Sequence, residues 1–320
     1  MPAVPKPAVA RTVESHRMRR VQQRHAIAVV VLSALGILLA IGLAIAGYPP
    51  GWAELAIFAV FFTIAGLGIS VGFHRMFTHR SFKAAAPVCV ALAIMGSMAM
   101  QGTLKFWVAL HRRHHEHSDE PGDPHSPYVL ENGTPLRGKL AGFWHSYMAW
   151  SFGHEVPNSA YYARDLMRDR LISRVNDLYF VWVAAGLIVP TLIGAAAHGS
   201  WIGATQGLVW GGLIRIYVGH NMIWSITSLT HIFGRRDFAT GDRSTNNLWL
   251  SVFTLGESWH NNHHAFPTAA ILHFRWYQFD ISGLVVLALE KAGLAWDVGR
   301  PGKMARFARL KSNPLTPAAR

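Results

Sequence analysis

Residues 111–127 read HRRHHEHSDEPGDPHSP, with five histidines, two arginines and four carboxylates in one short polar run. The run follows directly on a long apolar stretch, in a chain of 320 residues that is 51% hydrophobic and only 15% charged. So polar a run is unusual in so apolar a chain. In HxxHH the rings leave a helix at about 0°, 300° and 40°. All three point from one side, as a metal grip requires.

The same spacing returns as HNNHH at 260–264, and a third cluster, HRMFTH, occupies 74–79. On a continuous α-helix HxxxxH sets its rings about 140° apart. His74 and His79 are therefore expected either to flank a helix end or to serve different metals. Imidazole suits Zn, Fe, Cu and Ni alike. Eight clustered histidines exceed what one zinc ion takes, and indicate two metals. A histidine-rich metal-buffering loop is the plainer alternative, but such loops are irregular and this spacing repeats at two membrane boundaries. No HExxH supplies the glutamate base of a metalloprotease. The single cysteine, Cys89, excludes an internal disulfide and thiolate metal sites.

Four apolar runs are long enough to cross a bilayer: 26–47, 52–73, 178–197 and 203–226. They pair into two hairpins around YPPG (48–51) and HGS (198–200), with Glu54 at an outer end. Arg215 falls inside the last run and should face protein instead of lipid. The apolar core of the first run is too long for a signal peptide. Residues 85–104 would also pass as a span, yet crossing there would put HRMFTH and HRRHH on opposite faces. They are expected to form a re-entrant or interfacial segment. The chain carries a net charge of +13. Its basic segments, RMRRVQQRH (17–25) and the stretch from His74 to Arg174, place both termini and the histidines in the cytoplasm by the positive-inside rule. No zinc finger, helix-turn-helix or RNA-binding motif supports a nucleic-acid partner. The expected order begins with a disordered arm (1–25), a hairpin (26–73) and a first cap segment (74–177). A second hairpin (178–226), a second cap segment (227–302) and a disordered tail (303–320) complete it. Residues 279–294 read as an amphipathic helix against the membrane surface or the cap.

Box order and flanks resemble the membrane fatty-acyl desaturases, specifically the stearoyl-CoA and bacterial Δ9 group and most closely its actinobacterial members. The stretches that carry the resemblance are GFHRMFTHRSF, WVALHRRHHEHSDEPGDPHSP, GFWHSYMAW, FGRRDFATGD and GESWHNNHHAFP. The resemblance implies an all-α integral membrane protein. Four transmembrane helices would carry a cytoplasmic helical cap with a histidine-ligated di-iron site, in a bacterial inner membrane. It implies the ligands His74, His79, His111, His114, His115, His260, His263 and His264, with His231 as the ninth from an N-x-x-x-H element. Thr227 stands where that element has an asparagine that holds a metal-bound water. Asp119, Asp123 and Glu257 match acidic positions that orient imidazoles, while Trp107 and Trp224 match positions lining the acyl tunnel. His117, His125, His145 and His154 lie outside the boxes and read as polar neighbours.

A CH2–CH2 pair deep in an acyl chain offers no acidic proton or leaving group, so a metal–oxygen oxidant is needed. Two Fe ions with O2 as co-substrate meet that need, and zinc does not. Residues 265–320 hold no cysteine and no electron-carrier module. Electrons are expected from a separate ferredoxin, rubredoxin-like or cytochrome b5-like donor with its reductase. Ala109-Leu110 replaces the Arg-Asp that precedes the second box in animal acyl-CoA enzymes, which leaves saturated acyl-CoA and membrane acyl lipid both open as substrates. A related hydroxylase or alkane monooxygenase, or a non-catalytic metal-binding protein, are the alternatives.

Overall fold

The computed structural model describes residues 9–310 and is mostly helical. Helix α1 (His16–Ile45) is followed by α2 (Trp52–Leu67), which runs on into a π-helix (Gly68–Thr78). Next come α3 (Ala86–Met98), α4 (Leu104–His117) and α5 (Lys139–Tyr147). The short helices α6 (Ser159–Tyr162), α7 (Arg164–Arg168) and α8 (Arg170–Asp177) lead into α9 (Tyr179–His198). Helix α10 (Trp201–Gly207), a second π-helix (Leu208–Ile214) and α11 (Arg215–Ile232) form one helical run. The chain closes with α12 (His260–Ala265), α13 (Ile281–Lys291) and α14 (Lys303–Ala308).

Among the described residues three helices are long and apolar enough to span a membrane: His16–Ile45, Trp52–Thr78 and Tyr179–His198. The expected fourth run, 203–226, is helical but does not reach that apolarity, because Gln206, Arg215, His220 and Asn221 interrupt it. It packs against α9, α1 and α2 instead of standing alone. A Cβ on Gly194 would lie 2.2 Å from the Gly203 carbonyl oxygen, so only glycine lets α9 and α10 approach this closely. Arg215 is buried, as expected, and its guanidinium donates to the carbonyls of Gly211, Met98 and Gly186. Glu54 accepts from His198 Nε2 at 2.6 Å and so ties the two hairpin turns together at one end.

Helix α3 has 13 residues and rises only about 20 Å, short of the ~30 Å bilayer core. It packs on the first π-helix where a Cβ on Gly68 would meet Gly96 N at 2.1 Å. Met100, at φ 58°, then turns the chain back into α4. The clusters on either side of 85–104 consequently meet on one face.

Both expected disordered ends need correction. From Val9 onward the arm is ordered: Thr12–Val13 pairs antiparallel with Val156–Pro157, and Ser15 caps α1. At the other end α14 is helical, Leu310 bridges to Phe238, and Ala239 N donates to the Arg309 carbonyl. Residues 1–8 and 311–320 lie outside the described residues. Helix α13 forms as expected and lies on the first π-helix.

Candidate metal centre

The first π-helix decides how HRMFTH works. In an i→i+5 ladder residue 79 returns over residue 74, and His79 N donates to His74 O at 3.1 Å. Their ring centroids are 4.8 Å apart, so the two rings share a site. The 140° separation of an ordinary helix never arises.

Each HxxHH box divides between two places. His111 and His115, one turn apart on α4, face His74, His79 and His263; the ligating nitrogens of these five lie within 4.8 Å of one another. His114, His231, His260 and His264 form a second such group. In α4 the i, i+4 pair serves the first group and the i+3 ring serves the second. In α12 the assignment is reversed, and His263 crosses to the first group. All nine expected rings are thereby brought together, five and four.

The rings are set up to donate lone pairs. Nε2 of His263 stands 3.0 Å from Nε2 of His74 and 2.9 Å from Nε2 of His115, while Nε2 of His260 and His231 are 3.0 Å apart. Two nitrogens bound at right angles, each about 2.1 Å from an ion, sit about this far apart. Nε2 of His79, His114 and His264 is buried without a hydrogen-bond partner, a costly state unless something else takes the lone pair. Burial, reinforced by neighbouring rings, pushes His79, His111, His114, His115, His260 and His263 well below the usual imidazole range. Neutral rings with converging nitrogens are what a metal ion requires. The donor set fits two ions.

Carboxylates hold four rings by Nδ1 and turn their Nε2 inward. Glu257 lies 2.7 Å from His74, Asp123 3.0 Å from His114, and Asp119 2.9 Å from His231. The fourth, Asp242 on His264, lies in FGRRDFATGD, but spacing gave it no role. Asp123 also accepts from the Asp119 and His125 amides, which folds the DEPGDPH loop under α4. Burial opposes charge on Glu257, but Arg75 and His74 outweigh it and hold the carboxyl down to about 2. Arg75, which spacing also missed, is buried and clamps Glu257 and Asp280, joining the first π-helix to the 257–280 segment. Burial likewise opposes charge on His231, yet Asp119 pulls it up to about 9.

Trp107 stacks on His111 at 5.0 Å and 19° and lines an apolar cavity of about 50 Å³ with Ile69, Met222, Ile223 and Ile226. His74, His111, His114 and His260 reach that cavity. A neighbouring cavity of about 90 Å³ shares Trp107 and Ile223 and is lined by Trp224. Thr227 lines the first cavity, but its hydroxyl donates to the Ser146 carbonyl at 2.7 Å. The hydroxyl proton is thus engaged by backbone, while the oxygen lone pairs that would accept from a metal-bound water remain. His125 is buried 4.3 Å from the His114 ring, whereas His117, His145 and His154 belong to neither group.

A fatty acid desaturase family profile matches residues 49–281. The chain belongs to that family. It is 44% identical to the hex-5-enoyl-[acyl-carrier protein] acetylenase of Moorena producens (strain JHB), over 94% of each chain. It is 37% identical to Delta-9 acyl-lipid desaturase 1 of Arabidopsis thaliana, over 80% of this chain and 78% of that one. With the sn-1 stearoyl-lipid 9-desaturase of Anabaena variabilis it shares 35% identity, over 77% and 84%. The desaturase is an oxidoreductase of lipid metabolism.

Proposed function

We propose that this desaturase uses O2 and a di-iron centre to place a cis double bond, of Δ9 type, in a saturated acyl chain. The observation that carries the reading is two adjoining histidine groups opening on an apolar cavity. His74, His79, His111, His115 and His263 would hold one iron, and His114, His231, His260 and His264 the other. When bound, the irons supply the O2-activating redox chemistry that an unactivated CH2–CH2 pair requires, with two electrons and two protons completing reduction of O2 to two waters. The protein's own contribution is positional. Trp107 and the isoleucines around it keep water from the chain and lay it against His111 and His114. The four carboxylates fix ring orientation, so no ligand must rotate when the centre is loaded.

The same reading takes four spans, two hairpins in a bacterial inner membrane, with both termini and the cap cytoplasmic. A periplasmic signal from a reporter at Gly133 would break it. The substrate is the acyl chain of an acyl-CoA or membrane lipid, and electrons come from a separate ferredoxin, rubredoxin-like or cytochrome b5-like protein. The decisive experiment expresses the chain in a host lacking unsaturated fatty acids and maps double bonds in its lipids. Mono-unsaturated product with two irons per active chain is expected; an alcohol product, or full activity with zinc alone, overturns the assignment. The 44% identity to an acetylenase over nearly the whole chain favours one second reading, removal of hydrogen from an alkene held on acyl carrier protein. Alkyne formed from a supplied unsaturated acyl-carrier substrate, and no alkene from a saturated one, would select it.

A further inference from the structure

The two histidine groups have a second opening. A polar cavity of about 550 Å³ shares no lining residue with the apolar cavity, and His79, His115 and His264 form part of its wall. These are rings from both groups, and none of them lines the apolar cavity. The His264 side chain is only 2% exposed, and its Nε2 is buried without a hydrogen-bond partner. The wall also carries Glu116, Glu120 and Asp242.

The charges on this wall are unequally free. Arg112 is tied to Asp165 at 2.7 Å. Arg309 gives its guanidinium to the Ala265 carbonyl. Glu116 is shared by Arg11 and Tyr162, and Asp242 is committed to His264. Among the described residues of this wall, Glu120 is the exposed carboxylate that no arginine, histidine or tyrosine engages.

A hydrated dication sheds its waters only where oxygen or nitrogen ligands replace them. The apolar cavity also reaches imidazoles of both groups and Glu257, but it holds only about 50 Å³ and its other walls are largely isoleucine, methionine and tryptophan, which leaves a hydrated ion no room. The polar cavity offers a carboxylate at its wall, then imidazoles whose nitrogens belong to the metal groups. A buried metal site needs such an entry path. We propose that this cavity is the route by which divalent metal enters the apoprotein, with Glu120 as the residue that captures the hydrated ion and passes it toward His264 and His79. The proposal rests on the two-metal reading above. It gives seven of the nine rings a duty: His74, His111, His114 and His260 face the acyl chain, and His79, His115 and His264 face the door for ions, while His231 and His263 line neither cavity.

The test uses the full-length protein in phosphatidylcholine nanodiscs, stripped of metal by chelator, with Co2+ as probe. Uptake is followed by the cobalt absorption bands in a stopped-flow instrument, and the end point by metal analysis. Glu120→Gln should slow uptake by about three-fold or more at low salt, and Glu120→Lys further, because a carboxylate at a cavity wall raises the local cation concentration. Both variants should still reach two ions per chain, and high salt should bring the three rates together. Unchanged rates in both variants at low salt overturn the proposal. So does an end point below two ions, which would make Glu120 a resident ligand. A wild-type protein that takes up no cobalt would instead sink the two-metal reading itself.

Discussion

The two histidine groups are built differently. The first has five rings, of which one, His74, is backed by a carboxylate. The second has four rings, and three of them, His114, His231 and His264, lean on Asp123, Asp119 and Asp242. A carboxylate behind an imidazole fixes its tautomer and makes it a better donor. Under the two-metal proposal the first group would rely on ligand number and the second on ligand strength. What supports them differs too. The first is braced by the buried Arg75–Glu257–Asp280 cluster and a π-helix, the second by the loop around Asp119 and Asp123 and by Asp242.

The largest effects come from the rings themselves. His263→Ala removes a nitrogen from the first group and His260→Ala one from the second. Each is expected to lower product formation by at least about 100-fold, more than loss of an outer partner costs. His125→Ala, outside both groups, should retain more activity than either. Equal losses in three folded, inserted proteins would show that the boundary of the site is drawn in the wrong place.

Next is the brace of the first group. Glu257 has an ordinary value of 4.5 and is held at about 2 in the folded protein. A depressed carboxylate contributes stability that is complete above 4.5 and is lost as pH falls toward 2. The size is about 3 kcal/mol from the shift alone. The thermal midpoint of the metal-free, detergent-solubilised protein should fall across that window. In Glu257→Gln the fall should be shallower; an identical slope would mean that other carboxylates carry it.

A smaller effect separates the two groups. Asp242→Asn keeps the shape behind His264 and removes the charge, so affinity for one ion should drop about 10- to 100-fold. Chelator titration of the loaded protein should then resolve one weak and one unchanged ion. Two ions weakened together would show that the groups do not hold metal independently.

How far these features could be read in advance depends on whether they are local. The HxxHH rings of α4 and α12 are spaced by the helix itself, so their shared face is visible in five letters. His231 came only through resemblance, since nothing near it repeats. Of the two arrangements open to His74 and His79, flanking a helix end holds, with His79 at the cap, but their meeting through a π-helix was hidden, because a period of 3.6 assumes an α-helix. Asp242 lies 22 residues before the ring it holds, in a loop with no periodicity to place it. Arg75 stands inside a histidine box, yet its partners lie 182 and 205 residues away. The fourth apolar run looked like the others, but Gln206, Arg215 and His220 interrupt it, and all three are buried in the packing of the helices.

The smallest effect is expected at Thr227, beside the apolar cavity yet not a ligand. Its hydroxyl donates to Ser146 O at 2.7 Å, which ties α11 to α5, and it also lies 3.2 Å from Trp224 O within its own helix. Thr227→Val keeps the shape and removes the donor. The loss is one neutral hydrogen bond, about 1 kcal/mol of stability, with the Ser146 carbonyl left short of a partner. Turnover at matched metal content should change by no more than a few-fold, because the bond is to backbone and not to the centre. Thr227→Asn must fit a longer amide into the same space and should be the more harmful of the two through overpacking. Steady-state rates for both variants, with thermal midpoints measured alongside, decide the matter. A valine variant of native stability and ten-fold lower turnover would return Thr227 to the role of holding a metal-bound water. A valine variant that is slightly less stable and nearly as active would leave it as a strut between two helices.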